Sequence, residues 1–126
     1  MTVEALDHVN IITADLEGTA RFYVEVFGLE RRNGPASLPP DQVQWLYDAG
    51  GRPILHIRTM PGDERTGSTG AIDHVALRCS GYEAMLARLE ERGLEHRTSG
   101  LGSIRLRQIF TKDPNGVTLE LNFPGE

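Results

Sequence analysis

Three histidines and one glutamate occupy matched places in a chain that repeats itself. Leu6-Asp7-His8-Val9 returns as Ile72-Asp73-His74-Val75. A helix-like stretch follows each copy and ends in Gly28-Leu29-Glu30 or in Gly93-Leu94-Glu95. Late in each half, Ile54-Leu55-His56-Ile57 corresponds to Thr118-Leu119-Glu120-Leu121. The spacing between copies is constant to within two residues, so His8 matches His74 and His56 matches Glu120. Three imidazoles and a carboxylate at equivalent points of a duplicated unit form a ligand set for a divalent metal on a pseudo-two-fold axis. A lone histidine in a strand is more often a hydrogen-bonded packing residue. The duplication lifts His8, His56, His74 and Glu120 above that default.

Imidazole-rich ligation suits Zn, Ni, Co or Fe(II) better than Mg or Ca, and the expected divalent ion is one of these or Mn. Such a site with two adjacent open positions can chelate the neighbouring oxygens of a hydroxy-ketone, a hydroxy-acid or a catechol. It then stabilises the enediolate or alkoxide that develops. A base is also needed, and Glu120 is one candidate if it leaves the metal during turnover. If His56 instead contacts substrate, the remaining two histidines and one carboxylate form a facial set compatible with Fe(II) oxygenation.

These residues must be positioned by two βαβββ modules. In module 1, residues 5–59, branched residues over 5–13 predict a strand. Asp15 predicts the N-cap of a helix carrying Leu16, Ala20, Tyr23, Val24 and Phe27, which Gly28 stops. A short strand from Leu29, a proline-rich loop over 34–41 and strands over 42–47 and 53–59 follow. Residues 60–70 link the modules. In module 2, residues 71–123, a strand over 71–79 precedes Ser80-Gly81-Tyr82-Glu83, which reads as a capping box. Tyr82, Met85, Leu86 and Leu89 then share a helix face, and Gly93 ends it. Strands over 94–98, 104–111 and 117–123 complete the copy, with Asp113-Pro114-Asn115-Gly116 as a type I turn.

Strand alternation sorts the faces. Val9 and Ile11, Leu55 and Ile57, Val75 and Leu77, and Leu119 and Leu121 should meet the helices. His8, His56, His74 and Glu120 then all fall on the opposite face. Asn10, Arg58, Arg78, Gln108, Phe110 and Asn122 are candidates for a substrate pocket on that face, although Arg58 and Arg78 have rim salt bridges as their default. Trp45 and Tyr47 share one face of their strand, and Trp45 is a candidate pocket wall. Asp7 and Asp73 alternate away from the ligands, could cap or pair structurally, and are assigned no chemistry. His96 reads as exposed, and Cys79 as an inert thiol on the helix side.

With 126 residues, the chain is long enough for one domain spanning 1–126 with its own core. A formal charge of −5 with interspersed signs gives no nucleic-acid footprint. One cysteine excludes an internal disulfide framework and suits a reducing cytoplasm. No leader or long apolar run is present, so neither secretion nor a membrane span is expected.

The pattern resembles the vicinal oxygen chelate superfamily, which includes glyoxalase I, fosfomycin-resistance proteins, methylmalonyl-CoA epimerase and extradiol dioxygenases. Leu6-Asp-His-Val-Asn, Ala20-Arg-Phe-Tyr, Phe27-Gly-Leu and Asp113-Pro-Asn-Gly-Val-Thr-Leu-Glu-Leu carry the resemblance. It implies an α+β fold of two modules curling into a half-open barrel of mixed sheet around a divalent metal. It also implies His8, His74 and Glu120 as ligands, with His56 at the fourth position. The extradiol pattern has a tyrosine where Phe110 stands and a nearby histidine that residues 101–103 lack. Glyoxalase I has an arginine where Ile12 stands. The resulting expectation is a metal-dependent, glyoxalase-like enzyme with lyase, isomerase or epimerase chemistry on a small oxygenated substrate. An Fe(II) dioxygenase of extradiol type and a drug-sequestering protein of bleomycin-resistance type are the alternatives. A homodimer is expected, since a closed isologous pair covers exposed sheet edges.

Overall fold

The computed structural model describes residues 1–59 and 69–126. Its elements are β1 (Val9–Thr13), α1 (Leu16–Phe27), β2 (Glu30–Asn33), β3 (Val43–Tyr47), β4 (Pro53–Thr59), β5 (Val75–Arg78), α2 (Tyr82–Glu91), β6 (His96–Leu101), β7 (Leu106–Lys112) and β8 (Thr118–Pro124). A single 3-10 turn, Gly102–Ile104, joins β6 to β7. The chain divides into two compact units, Met1–Arg65 and Thr66–Glu126. Among the described residues each contains one α-helix and one four-stranded sheet, ordered β1-β4-β3-β2 in the first and β5-β8-β7-β6 in the second. In both, the first strand runs parallel to the last and the other pairs are antiparallel. This is the α+β pairing of βαβββ modules expected from the repeat, with sheets that do not close.

Local chemistry fixes α1 at both ends. The Asp15 carboxylate accepts a hydrogen bond from the Gly18 amide at 2.9 Å. At the other end Gly28 takes φ 70°, and its amide donates to the Val24 carbonyl at 3.0 Å. The buried stripe Leu16, Thr19, Ala20, Tyr23 and Val26 packs on β3 and β4, whose Leu46, Leu55 and Ile57 are also buried. Burying each large apolar side chain contributes about 1.5–3 kcal/mol. Unit 2 has the corresponding core in Tyr82, Met85, Leu89, Ile109, Leu119, Leu121 and Phe123. Within it, the rings of Tyr82 and Phe123 meet edge to face at 5.3 Å.

Three expectations need correction. The first strand of each module is shorter than expected: β1 begins at Val9 and β5 at Val75, so His8 and His74 stand just before their strands. The capping box is absent. Helix α2 begins one residue too late for Ser80 and Glu83 to act as a pair, and Gly81 is its N-cap without a side-chain bond. The Glu126 carboxylate takes over, accepting from the Gly81 amide at 3.0 Å and the Tyr82 amide at 2.9 Å. Finally, Ile104 lies in the 3-10 turn, after which Arg105 adopts φ 48° and β7 starts at Leu106. The turn at 113–116 is as expected: the Gly116 amide donates to the Asp113 carbonyl at 3.1 Å, and Asp113 Oδ1 accepts from the Asn115 and Val117 amides. Most of the expected linker, residues 60–68, lies outside the described residues.

Cross-strand register gives each sheet one informative row. In unit 1, Asn10, His56, Trp45 and Arg32 stand side by side on β1, β4, β3 and β2. In unit 2 the row is Ala76, Glu120, Phe110 and Arg97 on β5, β8, β7 and β6. The match is position for position. In each row the candidate ligand, His56 or Glu120, has an aromatic neighbour, and beyond that an arginine on the edge strand.

Candidate metal centre

The structure brings the four candidate ligands together as two pairs, one in each unit. In unit 1 the imidazoles of His8 and His56 stack with centroids 3.8 Å apart and planes 18° from parallel. On the other face of His56 lies Trp45, with ring centroids 4.4 Å apart and planes at 1°. The direct pairing of Trp45 with His56 across β3 and β4 sets up this second stack. Nε2 of His56 is buried and has no hydrogen-bond partner among the described residues. Burial, and secondarily the neighbouring His8, pushes its pKa below the ordinary histidine value. His56 is therefore a neutral imidazole with an unsatisfied ring nitrogen, which is a donor set suited to a metal or a polar ligand.

In unit 2, Nε2 of His74 lies 3.0 Å from Oε2 of Glu120. The other carboxylate oxygen is already engaged. Oε1 accepts from Gln108 Nε2 at 3.0 Å and from Asn122 Nδ2 at 2.8 Å. The same Gln108 amide also donates to Asn122 Oδ1 at 2.9 Å. Two of the expected pocket residues thus hold Glu120 in place and turn Oε2 toward His74. Of the others, Phe110 stands opposite Glu120 in the sheet, and Asn10 stands opposite His56. Arg58 pairs with Ile12 and Arg78 with Asn122, and both arginines are exposed.

A feature absent from the sequence reading is shared by both units. Nδ1 of His8 contacts Oδ2 of Asp7 at 2.6 Å, and Nδ1 of His74 contacts Oδ2 of Asp73 at 2.8 Å. A carboxylate on Nδ1 favours the tautomer that leaves Nε2 free to ligate, and it orients the ring. Asp73 first, and Glu120 after it, raises the pKa of His74 above the ordinary value. The repeated Asp-His pair was visible in the sequence. Strand alternation hid its meaning by sending neighbouring side chains to opposite faces. Residues 7–8 and 73–74 precede their strands, so alternation does not govern them.

His96 is half-buried rather than exposed, with Nδ1 2.8 Å from the Leu94 carbonyl oxygen. Burial pushes the Cys79 thiol up to about 11, which agrees with an inert cysteine.

Among the described residues, no group of three or more His, Cys, Asp or Glu side chains is arranged to hold a metal. Each pair nevertheless fits one chemically. His74 and Glu120 point nitrogen and oxygen at each other, and the Nδ1 atoms of His8 and His74 are already committed to carboxylates. The His8–His56 stack carries a further constraint. A metal about 2.1 Å from an imidazole nitrogen lies near that ring's plane. Rings 3.8 Å apart and only 18° from parallel share no such point. Ligation of one ion by both would require one ring to turn.

The sequence model of the Glyoxalase/Bleomycin resistance protein/Dioxygenase superfamily matches residues 5–121, and the chain belongs to that superfamily. It is 26% identical over 123 residues to glyoxylase I 4 of Arabidopsis thaliana, covering 93% of this chain and 69% of that protein. Its fold is that of a glyoxalase/dioxygenase from Nostoc punctiforme, with a TM-score of 0.77 at 18% identity over 100% of this chain and 99% of the other. A genomically encoded fosfomycin resistance protein from Listeria monocytogenes gives 0.72 at 17% identity, over 98% and 94%. The superfamily includes metalloenzymes, dioxygenases and fosfomycin-resistance proteins. Its members typically bind divalent metal ions, use small-molecule substrates and are often dimers. No described helix is long and apolar enough to cross a membrane.

Proposed function

We propose that the chain is a divalent-metal-dependent enzyme of glyoxalase type. It acts on a small substrate through two neighbouring oxygens by lyase, isomerase or epimerase chemistry. The observation that carries this reading is the 3.0 Å contact between His74 Nε2 and Glu120 Oε2, with His74 held from behind by Asp73 and Glu120 by two amides. His8, with its own Asp7, is the third ligand, and His56 occupies the fourth position. When bound, the ion supplies Lewis acidity toward negative charge on a substrate oxygen.

The remaining chemistry belongs to the chain's own side chains. Glu120 would be the proton acceptor once it leaves the ion. Its Oε1 is occupied by Gln108 and Asn122, so a proton taken from carbon next to a carbonyl goes to Oε2. The electron pair of the broken C–H bond moves onto the neighbouring oxygen. A proton delivered to the opposite face of that carbon gives epimerisation, and one returned from Oε2 to the neighbouring carbon gives isomerisation. The Trp45–His56 stack forms an apolar wall with one polar nitrogen, and the neutral state of His56 avoids a buried positive charge.

The His8–His56 stack supports a second reading. If His56 stays between His8 and Trp45, the ligands reduce to two histidines and one carboxylate, the set of an Fe(II) oxygenase.

Metal analysis of protein purified without added ions, followed by titration of the metal-free chain and its Glu120→Gln variant, tests the site. We expect about one ion per chain and at least about tenfold weaker binding by the variant, since the substitution removes the sole anionic ligand. Unchanged affinity would remove Glu120 from the ligand set. No metal binding at all would favour a drug-sequestering protein. Fe(II)-dependent oxygen uptake with a catechol, abolished by His74→Ala, would favour the second reading. We further propose a cytoplasmic homodimer, for which sedimentation at micromolar concentration showing only monomer is the refuting result.

A further inference from the structure

The repeated rows differ at their outer ends. In unit 1, Arg32 lies over the Tyr47 ring, 4.3 Å from its centroid, and is neutralised by Glu30 through a 2.8 Å ion pair. Its repeat partner Arg97 lies 3.9 Å over the Phe110 ring. Arg97 has no carboxylate partner among the described residues. Two residues from Phe110 along β7, Lys112 is exposed and likewise has no ion-pair partner among the described residues. Arg97 and Lys112 line a cavity of ≈160 Å³, together with Phe110, Thr118 and Glu95. Phe110, Lys112 and Thr118 share the strand parity of Glu120, and Arg97 pairs directly with Phe110. Arg97, Phe110, Lys112 and Thr118 therefore line the cavity from the Glu120 face, and His96 and Thr111 from the opposite face.

We propose that this cavity is a small-oxyanion subsite, in which Arg97 and Lys112 hold a carboxylate, phosphate or phosphonate group. Two cations face one carboxylate, that of Glu95, so the lining is net positive. A guanidinium lying on an aromatic ring keeps the N–H groups along its edge free to bind two oxygens of one anion. The Thr118 hydroxyl adds a neutral donor. The volume suits one such group rather than an extended ligand.

This assignment deepens the metal-enzyme reading and rests on it for one point only, that the substrate's reacting oxygens lie beside Glu120. Phe110 is on the strand next to Glu120, and neighbouring strands are about 4.8 Å apart. The substrate class is then a small molecule with two neighbouring oxygens at one end and an anionic group a few bonds away.

The test uses the full chain stripped of metal by chelator, so that the anion site and the metal site can fail separately. Amide NMR shifts are followed during titration with inorganic phosphate, with malonate and with neutral malonamide, at constant ionic strength. Saturable shifts at Arg97, Phe110, Lys112 and Thr118 are expected with phosphate or malonate and not with malonamide. Whichever anion binds more tightly identifies phosphoryl or carboxylate as the preferred group. Arg97→Gln should weaken binding at least about tenfold, Arg32→Gln should leave it unchanged, and Glu95→Gln should tighten it. Because these side chains are exposed, retained spectra will report that each variant is folded. Non-saturating shifts, equal binding by Arg97→Gln, or equal losses in Arg97→Gln and Arg32→Gln would overturn the proposal. Loss of metal binding in Glu120→Gln with the anion site intact would leave it standing.

Discussion

Replacing Gln108 by leucine is the sharpest probe of how Glu120 is held. The Gln108 amide donates to Glu120 Oε1 at 3.0 Å and to Asn122 Oδ1 at 2.9 Å. Leucine has similar bulk but no donor. Asn122 still donates to Oε1 at 2.8 Å, so the carboxylate is not stripped bare. A hydrogen bond to a charged acceptor contributes about 1.5–3 kcal/mol, and a neutral one about 1 kcal/mol. The Glu120 side chain is 15% exposed, so water compensates part of the loss. The apolar leucine recovers some more. The net destabilisation expected is therefore about 1.5 kcal/mol, or a fall in Tm of roughly 4–8 °C for a chain of this size. With Oε1 half freed, Glu120 rotates more readily, and metal affinity should drop by about tenfold, as for loss of other outer partners of a ligand. Urea denaturation of the metal-free chain measures the first effect and calorimetric metal titration the second. A variant as stable as the parent and equally tight for metal would refute the view that Gln108 positions Glu120. Equal stability loss with unchanged metal affinity would assign Gln108 a packing role alone.

Further outcomes follow from other parts of the chain. The chain has a single tryptophan, Trp45, and it is stacked on His56, so its fluorescence reports the charge of that imidazole. Acid titration should quench it with a midpoint below the ordinary histidine value, because burial depresses the His56 pKa. His56→Gln should abolish that transition, and a midpoint at or above the ordinary value would contradict the buried, neutral state. The bonds from the Tyr82 and Gly81 amides lower the pKa of Glu126. A depressed folded-state pKa means the stabilisation is present above the unfolded carboxylate value, about 4.3, and is lost as pH falls through the folded value. Hydrogen exchange at Gly81 and Tyr82 should accelerate over that window, and Glu126→Gln should remove the dependence. For Cys79, a thiol raised to about 11 should resist iodoacetamide at pH 8 in the folded chain and react on unfolding. Equal rates in the two states would show that the thiol is not protected.

Much of the architecture was legible because its determinants are local. Asp15 and Gly28 bracket α1 through bonds to residues within one turn, and Asp113-Pro114-Asn115-Gly116 closes its own turn. The apolar periodicity of Tyr23, Leu55, Leu119 and Leu121 separates the core face from the other face without knowledge of any partner strand. The duplication did the rest, pairing His8 with His74 and His56 with Glu120. Other features depended on contacts far apart in sequence. The cap of α2 comes from Glu126, across the whole length of unit 2, where the residues beside the helix suggested Ser80 and Glu83. Register put Trp45 on His56 and Phe110 next to Glu120, and a slip by one residue would have sent them to the other face. Asp7 and Asp73 turned toward their histidines because β1 and β5 begin after them. Composition and spacing thus determined which atoms are available for chemistry. Which nitrogen is blocked, which carboxylate oxygen is free and which arginine lacks a carboxylate among the described residues are settled by tertiary contacts, and only the folded backbone decides them.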